Sequence, residues 1–289
     1  MRKVYINFAD VNFIKQQRFA LWAAKFFGGF DKTIGLSMNE IDEDFSKAFR
    51  NILGQKRGAG YWLWKPYIIK KMLSELSFGD YLFYSDAGAF FLKNVDILID
   101  YLERENQDIM GFELPLIEEQ WTKRELFVNM KCDDQIYFFS NQILASFILI
   151  KKSVISEKFF EEFLAFACNE INITDKFDSS VIQSDDFIEH RHDQSIFSLL
   201  YKKYNFKPFK DPSQLGRHPL GYADTAGNLN ENSNIYICES GRKLRIKHYL
   251  ENYSLVLYHN KKGKPLNSLI RYFLKYILFV LKLFKGVVR

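Results

Sequence analysis

The chain has 289 residues, 47% of them hydrophobic and 17% aromatic, with a formal net charge of +5. That is enough apolar material for one large domain with a sizeable core, and it excludes a disordered chain. The three cysteines, Cys132, Cys168 and Cys238, are far apart and show no CxxC spacing, which excludes a disulfide framework and points to reduced thiols.

Charge is unevenly distributed. Residues 261–289 hold eight Lys and Arg and no acid, so the remainder is slightly acidic. A body of that sign is not built to coat nucleic acid, so no nucleic-acid partner is expected. The N-terminal MRKVYINFADVNF lacks the apolar run and small-residue cleavage site of a secretory signal, so a cytoplasmic protein is expected.

In chain order, KVYINF (3–8) reads as a first strand and residues 13–27 as a helix with apolar spacing near 3.6, closed by Gly28 and Gly29. Residues 32–36 read as a short second strand and 40–53 as an amphipathic helix ending at Gly54. After RGAGYWLWK (57–65), Pro66 opens a helix to about residue 76, because a proline costs nothing in a first helical turn. An apolar strand then ends at Asp86. Farther on, 109–112 and 145–150 read as strands, and 157–169 and 194–204 as helices. The stretch 210–234, rich in Pro, Gly, Asn and Asp, reads as a long loop with the length of a lid. Strands alternating with helices imply a Rossmann-type α/β sheet flanked by helices, parallel at first and mixed in the middle. Ligands of such sheets bind beyond the carboxyl ends of the strands, where Asp86 emerges.

Asp86 ends an apolar strand and is followed by Ala87 and Gly88. A carboxylate there needs a compensating partner, and small neighbours let a cation and a diphosphate approach the backbone. The other reading is a carboxylate that caps the next turn. The stretch before it carries Arg57, Trp62, Trp64 and Lys65: aromatic faces that can hold a base, and cations that can meet a phosphate. They are equally compatible with an aromatic core cluster and a solvated lysine.

The order RGAGYWLWKP, helix, GDYLFYSDAG and then HRHDQSIFSLL (190–200) resembles the GT-A glycosyltransferases of bacterial surface-polysaccharide and lipopolysaccharide assembly, over roughly residues 3–205. The resemblance implies a GT-A-like domain over 1–260 that moves a sugar from a nucleotide-diphosphate donor, a UDP-sugar, to a glycan or lipid-linked acceptor. In such enzymes a strand ends in a DxD-type motif that holds Mn²⁺ or Mg²⁺ and the donor diphosphate. Here Ser85, Asp86, Ala87 and Gly88 occupy that place, with Gly88 where a second Asp often stands. The resemblance also makes Asp193, at the start of a late helix, the base that deprotonates the acceptor, although helix capping alone accounts for an aspartate there. His190, Arg191, His192 and Gln194 beside it, and Trp121 with Lys123 in EEQWTKRELF, are expected to meet acceptor hydroxyls or phosphate. His259, after LVLY, stands where many GT-A enzymes place a late metal-binding His. Two rivals stay open: a nucleotidyltransferase or other nucleotide-sugar enzyme on a similar sheet, and a non-catalytic membrane-bound scaffold of glycan assembly.

Residues 266–289 place five bases in one narrow wedge of an otherwise apolar helix. The longest charge-free run, 276–281, is far short of the ~20 residues a span requires. Such a helix reads as lying on an anionic membrane surface, on the inner face of the plasma membrane; the other reading is a helix packed on the body or at a dimer contact.

Overall fold

The computed structural model describes residues 1–260 and Ile270. The strands in chain order are β1 (Lys3–Phe8), β2 (Lys32–Leu36), β3 (Tyr81–Asp86), β4 (Ala89–Phe91), β5 (Ile109–Ile117), β6 (Asn141–Lys151), β7 (Phe209–Lys210), β8 (Gly227–Asn230), β9 (Ile235–Cys238), β10 (Lys243–Arg245) and β11 (Leu257–His259). The main sheet runs β2-β1-β3-β6-β5-β10-β9-β8, with β7 added to β5, while β4 and β11 form a separate pair. β1, β2 and β3 are mutually parallel, and β6 lies antiparallel between β3 and β5. The sheet is therefore mixed, as the middle of the sequence implied.

The two-residue period of a strand sends alternate side chains to opposite faces, and each face has its own core. Val4, Ile6 and Phe8 of β1 and Leu82 and Tyr84 of β3 pack beneath the helices Trp64–Ser74, Val154–Ala167 and Asp193–Lys203. Tyr5 and Phe83 turn the other way, toward the helices Ile14–Phe26 and Asp96–Arg104. Helices thus cover both faces of the sheet.

Several boundaries differ from the sequence reading, each for a local reason. The helix expected over 157–169 spans Val154–Ala167, because Ser153 and Ser156 close a reciprocal capping box that the serine-rich start did not advertise. The 40–53 helix is broken into a 3₁₀ turn at Met38–Glu40 and the helices Glu43–Ala48 and Arg50–Leu53. The expected lid at 210–234 contains β7, two helical turns and β8. β5 and β6 run well past the short strands read at 109–112 and 145–150. Their extra length carries Leu114, Leu116 and Leu144 beyond the end of β3, and with Ser146 these make a floor for the site. No described helix is long and apolar enough to cross a membrane. The helix expected over 266–289 and the domain boundary at 260 lie outside the described residues.

Candidate active site

Beyond the carboxyl ends of β1, β3 and β5 lies a cavity of about 740 Å³. That volume suits a small molecule with several rings. One wall comes from the β1 end, with Phe8, Ala9, Asp10 and Phe13, and from Lys56, Gly58, Ala59, Trp62 and Trp64. Asp86, Ala87 and Gly88 stand in the middle, joined by His259 and Asn260. Arg191, Gln194, Tyr222 and Arg242 complete the lining.

The aromatic wall depends on an unusual backbone. Gly58, Ala59, Gly60, Tyr61 and Trp62 all have positive φ, between 50° and 97°, forming a left-handed turn. Non-glycine residues there cost roughly 1–2 kcal/mol each. Surrounding contacts keep them in place. Trp64 stacks on Phe8 with ring centroids 3.6 Å apart and donates its indole N–H to Gly58 O. Trp62 stacks on His192 at 5.5 Å, and the Tyr61 hydroxyl donates to Asp175 Oδ2 at 3.0 Å. At Gly60 (φ +97°) an added Cβ would lie 2.7 Å from Leu53 Cα, so only glycine fits.

The partner of the Asp86 carboxylate is a buried lysine. Lys65 Nζ lies 3.3 Å from Asp86 Oδ1 and 2.6 Å from Asp193 Oδ2, and it donates to Ala145 O at 3.2 Å. Lys65 is 2% exposed and Asp193 is 5% exposed, so little water reaches the pair. Burial pushes the Asp193 carboxyl up to about 6, against the opposing pull of Lys65. Burial also opposes the Lys65 charge, yet its two carboxylates hold it above the usual lysine range. The Tyr84 hydroxyl donates to Asp86 Oδ1 at 2.5 Å. Asp86 is thus fixed from two sides while its side chain stays a third exposed, toward the cavity.

These contacts correct several of the roles expected from sequence. Asp193 is not among the residues that line the cavity: it is 5% exposed and its carboxylate pairs with Lys65 at 2.6 Å, so it positions Lys65 and, through it, Asp86. Lys65 itself does not line the cavity and meets it only through Asp86. The Ser85 hydroxyl is buried against the Tyr5 hydroxyl at 2.7 Å. Arg57 pairs with Asp175 and Glu189 outside the cavity. Lys123 is fully buried and donates to the carbonyls of Thr174 and Lys176, and desolvation lowers its pKa to about 8. His190 and His192 bond the carbonyls of Asn172 and Ile173 and tie down that segment. Burial holds His190 well below the imidazole range and lowers His192 to about 4, so both are neutral. Trp121 lies beneath the wall, 1% exposed.

Trp62, Trp64, Asp86, Ala87, Gly88, Arg191, Gln194 and His259 do meet at the cavity. Gly88 is small for a packing reason: an added Cβ would lie 2.6 Å from Asn260 O, and Asn260 N donates to Gly88 O. The chain after β11 therefore straps the Asp86 turn. Gln194 is held by donating to Gln142 Oε1 at 2.8 Å. Sequence reasoning missed Lys56, Tyr222 and Arg242. Lys56 adjoins the quoted RGAGYW and was within reach of that reading. Arg242 comes from the β9–β10 hairpin, and nothing in its local pattern separates it from a solvated arginine.

For a divalent metal the protein offers the Asp86 carboxylate and the His259 imidazole. A transition cation such as Mn²⁺ accepts one imidazole beside a carboxylate, diphosphate oxygens and water, whereas Mg²⁺ prefers an all-oxygen set that the imidazole does not complete. Among the described residues no three of His, Cys, Asp and Glu cluster as a complete protein cage.

No protein-family model matches the chain, and no curated protein matches it in sequence. Among solved structures, it is similar to mouse xyloside xylosyltransferase 1 in its apo form, at 9% identity and a TM-score of 0.46, over 90% of this chain and 97% of that one. It is also similar to the bifunctional glycosyltransferase WbbM, at 9% identity and a TM-score of 0.40, over 69% of this chain and 37% of that one. A third likeness is to the glycosyltransferase GlyE of Streptococcus pneumoniae TIGR4, at 16% identity and a TM-score of 0.36, over 73% of this chain and 46% of that one. All three are distant, and the chemistry rests on the site itself.

Proposed function

We propose that the protein is a GT-A-type glycosyltransferase that moves a sugar from a nucleotide-diphosphate donor, a UDP-sugar, to a cell-surface glycan or lipid-linked acceptor. The observation that carries this reading is the placement of Asp86. A carboxylate with a buried cationic partner stands at the end of a central strand, in a cavity that aromatic and cationic side chains also line. The aromatic side offers the exposed Phe13 and the partly exposed Trp62 to a base, backed by the buried Phe8–Trp64 stack, with Lys56 beside them for phosphate. Gln194 and Arg191 face the region beyond Asp86, where an acceptor hydroxyl would approach.

Asp86 and His259 would hold Mn²⁺, which when bound neutralises charge on the diphosphate leaving group. The protein's own contribution is to position. The Lys65–Asp193 pair fixes Asp86, the left-handed turn fixes the tryptophans, and Gln194 orients the acceptor side. Residues 266–289, basic and apolar in sequence, would hold the enzyme at an anionic membrane surface on the cytoplasmic side, as a lipid-linked acceptor requires.

A thermal-shift panel of nucleotide sugars, with and without Mn²⁺, tests this reading. UDP-sugars should raise the melting temperature more than UMP, and Mn²⁺ should increase the shift. A shift with nucleoside triphosphates alone would favour a nucleotidyltransferase, and no shift with any nucleotide would favour a scaffold.

A further inference from the structure

Two arginines from distant parts of the chain meet over one indole. The Arg191 guanidinium lies 4.3 Å from the Trp121 ring centroid and that of Arg242 lies 5.0 Å from it. Trp121 is 1% exposed, and its indole N–H has no hydrogen-bond partner among the described residues. Leaving a buried donor unpaired costs about 1–3 kcal/mol, so this indole is kept for its face and not for its N–H. The stack also places two like charges together in a partly dehydrated wall. Their acidic neighbours are only partly committed. Glu189 already takes Arg57, and its other oxygen is 3.6 Å from Arg191. Arg242 donates to Tyr222 O at 2.7 Å and pairs with Asp224 at 3.1 Å. Burial and the neighbouring Arg242 charge both weaken the hold of Arg191 on its proton, with Glu189 opposing.

The strand order sets the Arg242 end of the stack apart from Asp86. Arg242 immediately precedes β10, and Trp121 closes the short helix that follows β5. Asp86 ends β3, and β6 and β5 lie between β3 and β10 in the sheet. Three strand spacings amount to about 14 Å, which leaves room for a sugar residue between Asp86 and Arg242. The floor of that interval is Leu114, Leu116, Leu144 and Ser146, which carry no charge.

We propose that Arg191 and Arg242, stacked on Trp121, form an anion subsite that binds a carboxylate or phosphate carried by the acceptor sugar. This rests on the glycosyl-transfer reading above. Two guanidinium forks match the planar oxygens of a carboxylate or the tetrahedral oxygens of a phosphate, with Arg242 pre-oriented by Tyr222 O.

The test is calorimetric titration of the full chain, with and without saturating UDP. The probes are methyl glucuronide, glucose 6-phosphate and neutral methyl glucoside. One of the anionic sugars should bind at least about tenfold tighter than the neutral one, a difference of ~1.4 kcal/mol. Arg242→Gln should abolish that preference while UDP affinity changes less than about threefold, and Arg191→Gln should do the same if the first variant folds poorly. Equal binding of charged and neutral sugars overturns the proposal. So does a loss of UDP affinity in Arg242→Gln that matches the loss of sugar preference, which would put the arginines on the donor diphosphate. A preference for UDP-glucuronate over UDP-glucose that disappears in Arg242→Gln would assign them to the donor sugar and overturn it equally. Failure of the wild-type protein to bind UDP would instead sink the transferase reading, and the titrations without UDP would still report on the arginines.

Discussion

Replacing Lys65 by Met keeps the length of the side chain and removes the charge that holds two carboxylates. Asp86 is a third exposed and can turn to water, so most of the cost falls on Asp193, which is 5% exposed. Leaving one buried charge without its partner costs about 3–5 kcal/mol. Lys65→Met should therefore lose about 3–5 kcal/mol at pH 7.5, read by urea unfolding followed through tryptophan fluorescence. The pH dependence has a defined sign. Asp193 has its folded pKa raised to about 6, from 3.8. A raised carboxyl contributes stability that is fully present below the unfolded value and is lost as pH rises through the folded one. The variant's deficit should therefore shrink between pH 7.5 and pH 5, as Asp193 takes up a proton and no longer needs Lys65. Adding Asp193→Asn to Lys65→Met should recover most of the loss, and the double-mutant cycle should show strong coupling. A single mutant within about 1 kcal/mol of wild type at pH 7.5, or a double mutant no better than the single one, would refute the reasoning.

Gly60→Ala should cost about 2 kcal/mol or more, because it joins a left-handed backbone to a clash with Leu53, whereas Gly79→Ala, at φ +87° with open space around it, should cost about 1 kcal/mol. Equal losses on unfolding would mean that the turn relaxes freely. Gln194→Ala should lower kcat for transfer by roughly 10- to 100-fold with little change in donor affinity, if Gln194 orients the acceptor. An unchanged kcat would remove it from the site. Deleting residues 266–289 should leave a folded protein that still turns over its donor but no longer binds anionic vesicles, and vesicle binding of the full chain should weaken with salt. A truncated protein that aggregates, paired with a full chain that ignores vesicles, would make the tail part of the core.

The framework of the site was legible because it follows from local patterns. A strand of alternating core residues ending at Asp86, followed by two small residues, locates the carboxyl edge of the sheet from sequence alone. What was not legible is which polar groups turn inward. Asp193 and Lys65 are 128 positions apart, and their 2.6 Å contact depends on how the helices Trp64–Ser74 and Asp193–Lys203 pack on one face. The same holds for His190 and His192, each of which has one ring nitrogen bonded to a carbonyl 18 or 19 residues upstream. A motif rich in His, Arg and Asp looks catalytic in one dimension, yet here Arg191 and Gln194 face the cavity and their neighbours secure them. Of the arginine pair on Trp121, only Arg242 was hidden: it acquires its place only when the β9–β10 hairpin adds to β5.

The central claim is that Asp86 faces a nucleotide-sugar diphosphate, and release of UDP from UDP-sugars tests it most directly. With a panel of UDP-sugars and Mn²⁺ or Mg²⁺, the full chain should release UDP slowly by hydrolysis with at least one donor. Asp86→Asn, which removes one charge and keeps the shape, should lower that rate by roughly 10²-fold or more while the protein stays folded. A folded Asp86→Asn protein that releases UDP at the wild-type rate, or a wild-type protein that releases none from any donor, would contradict the account.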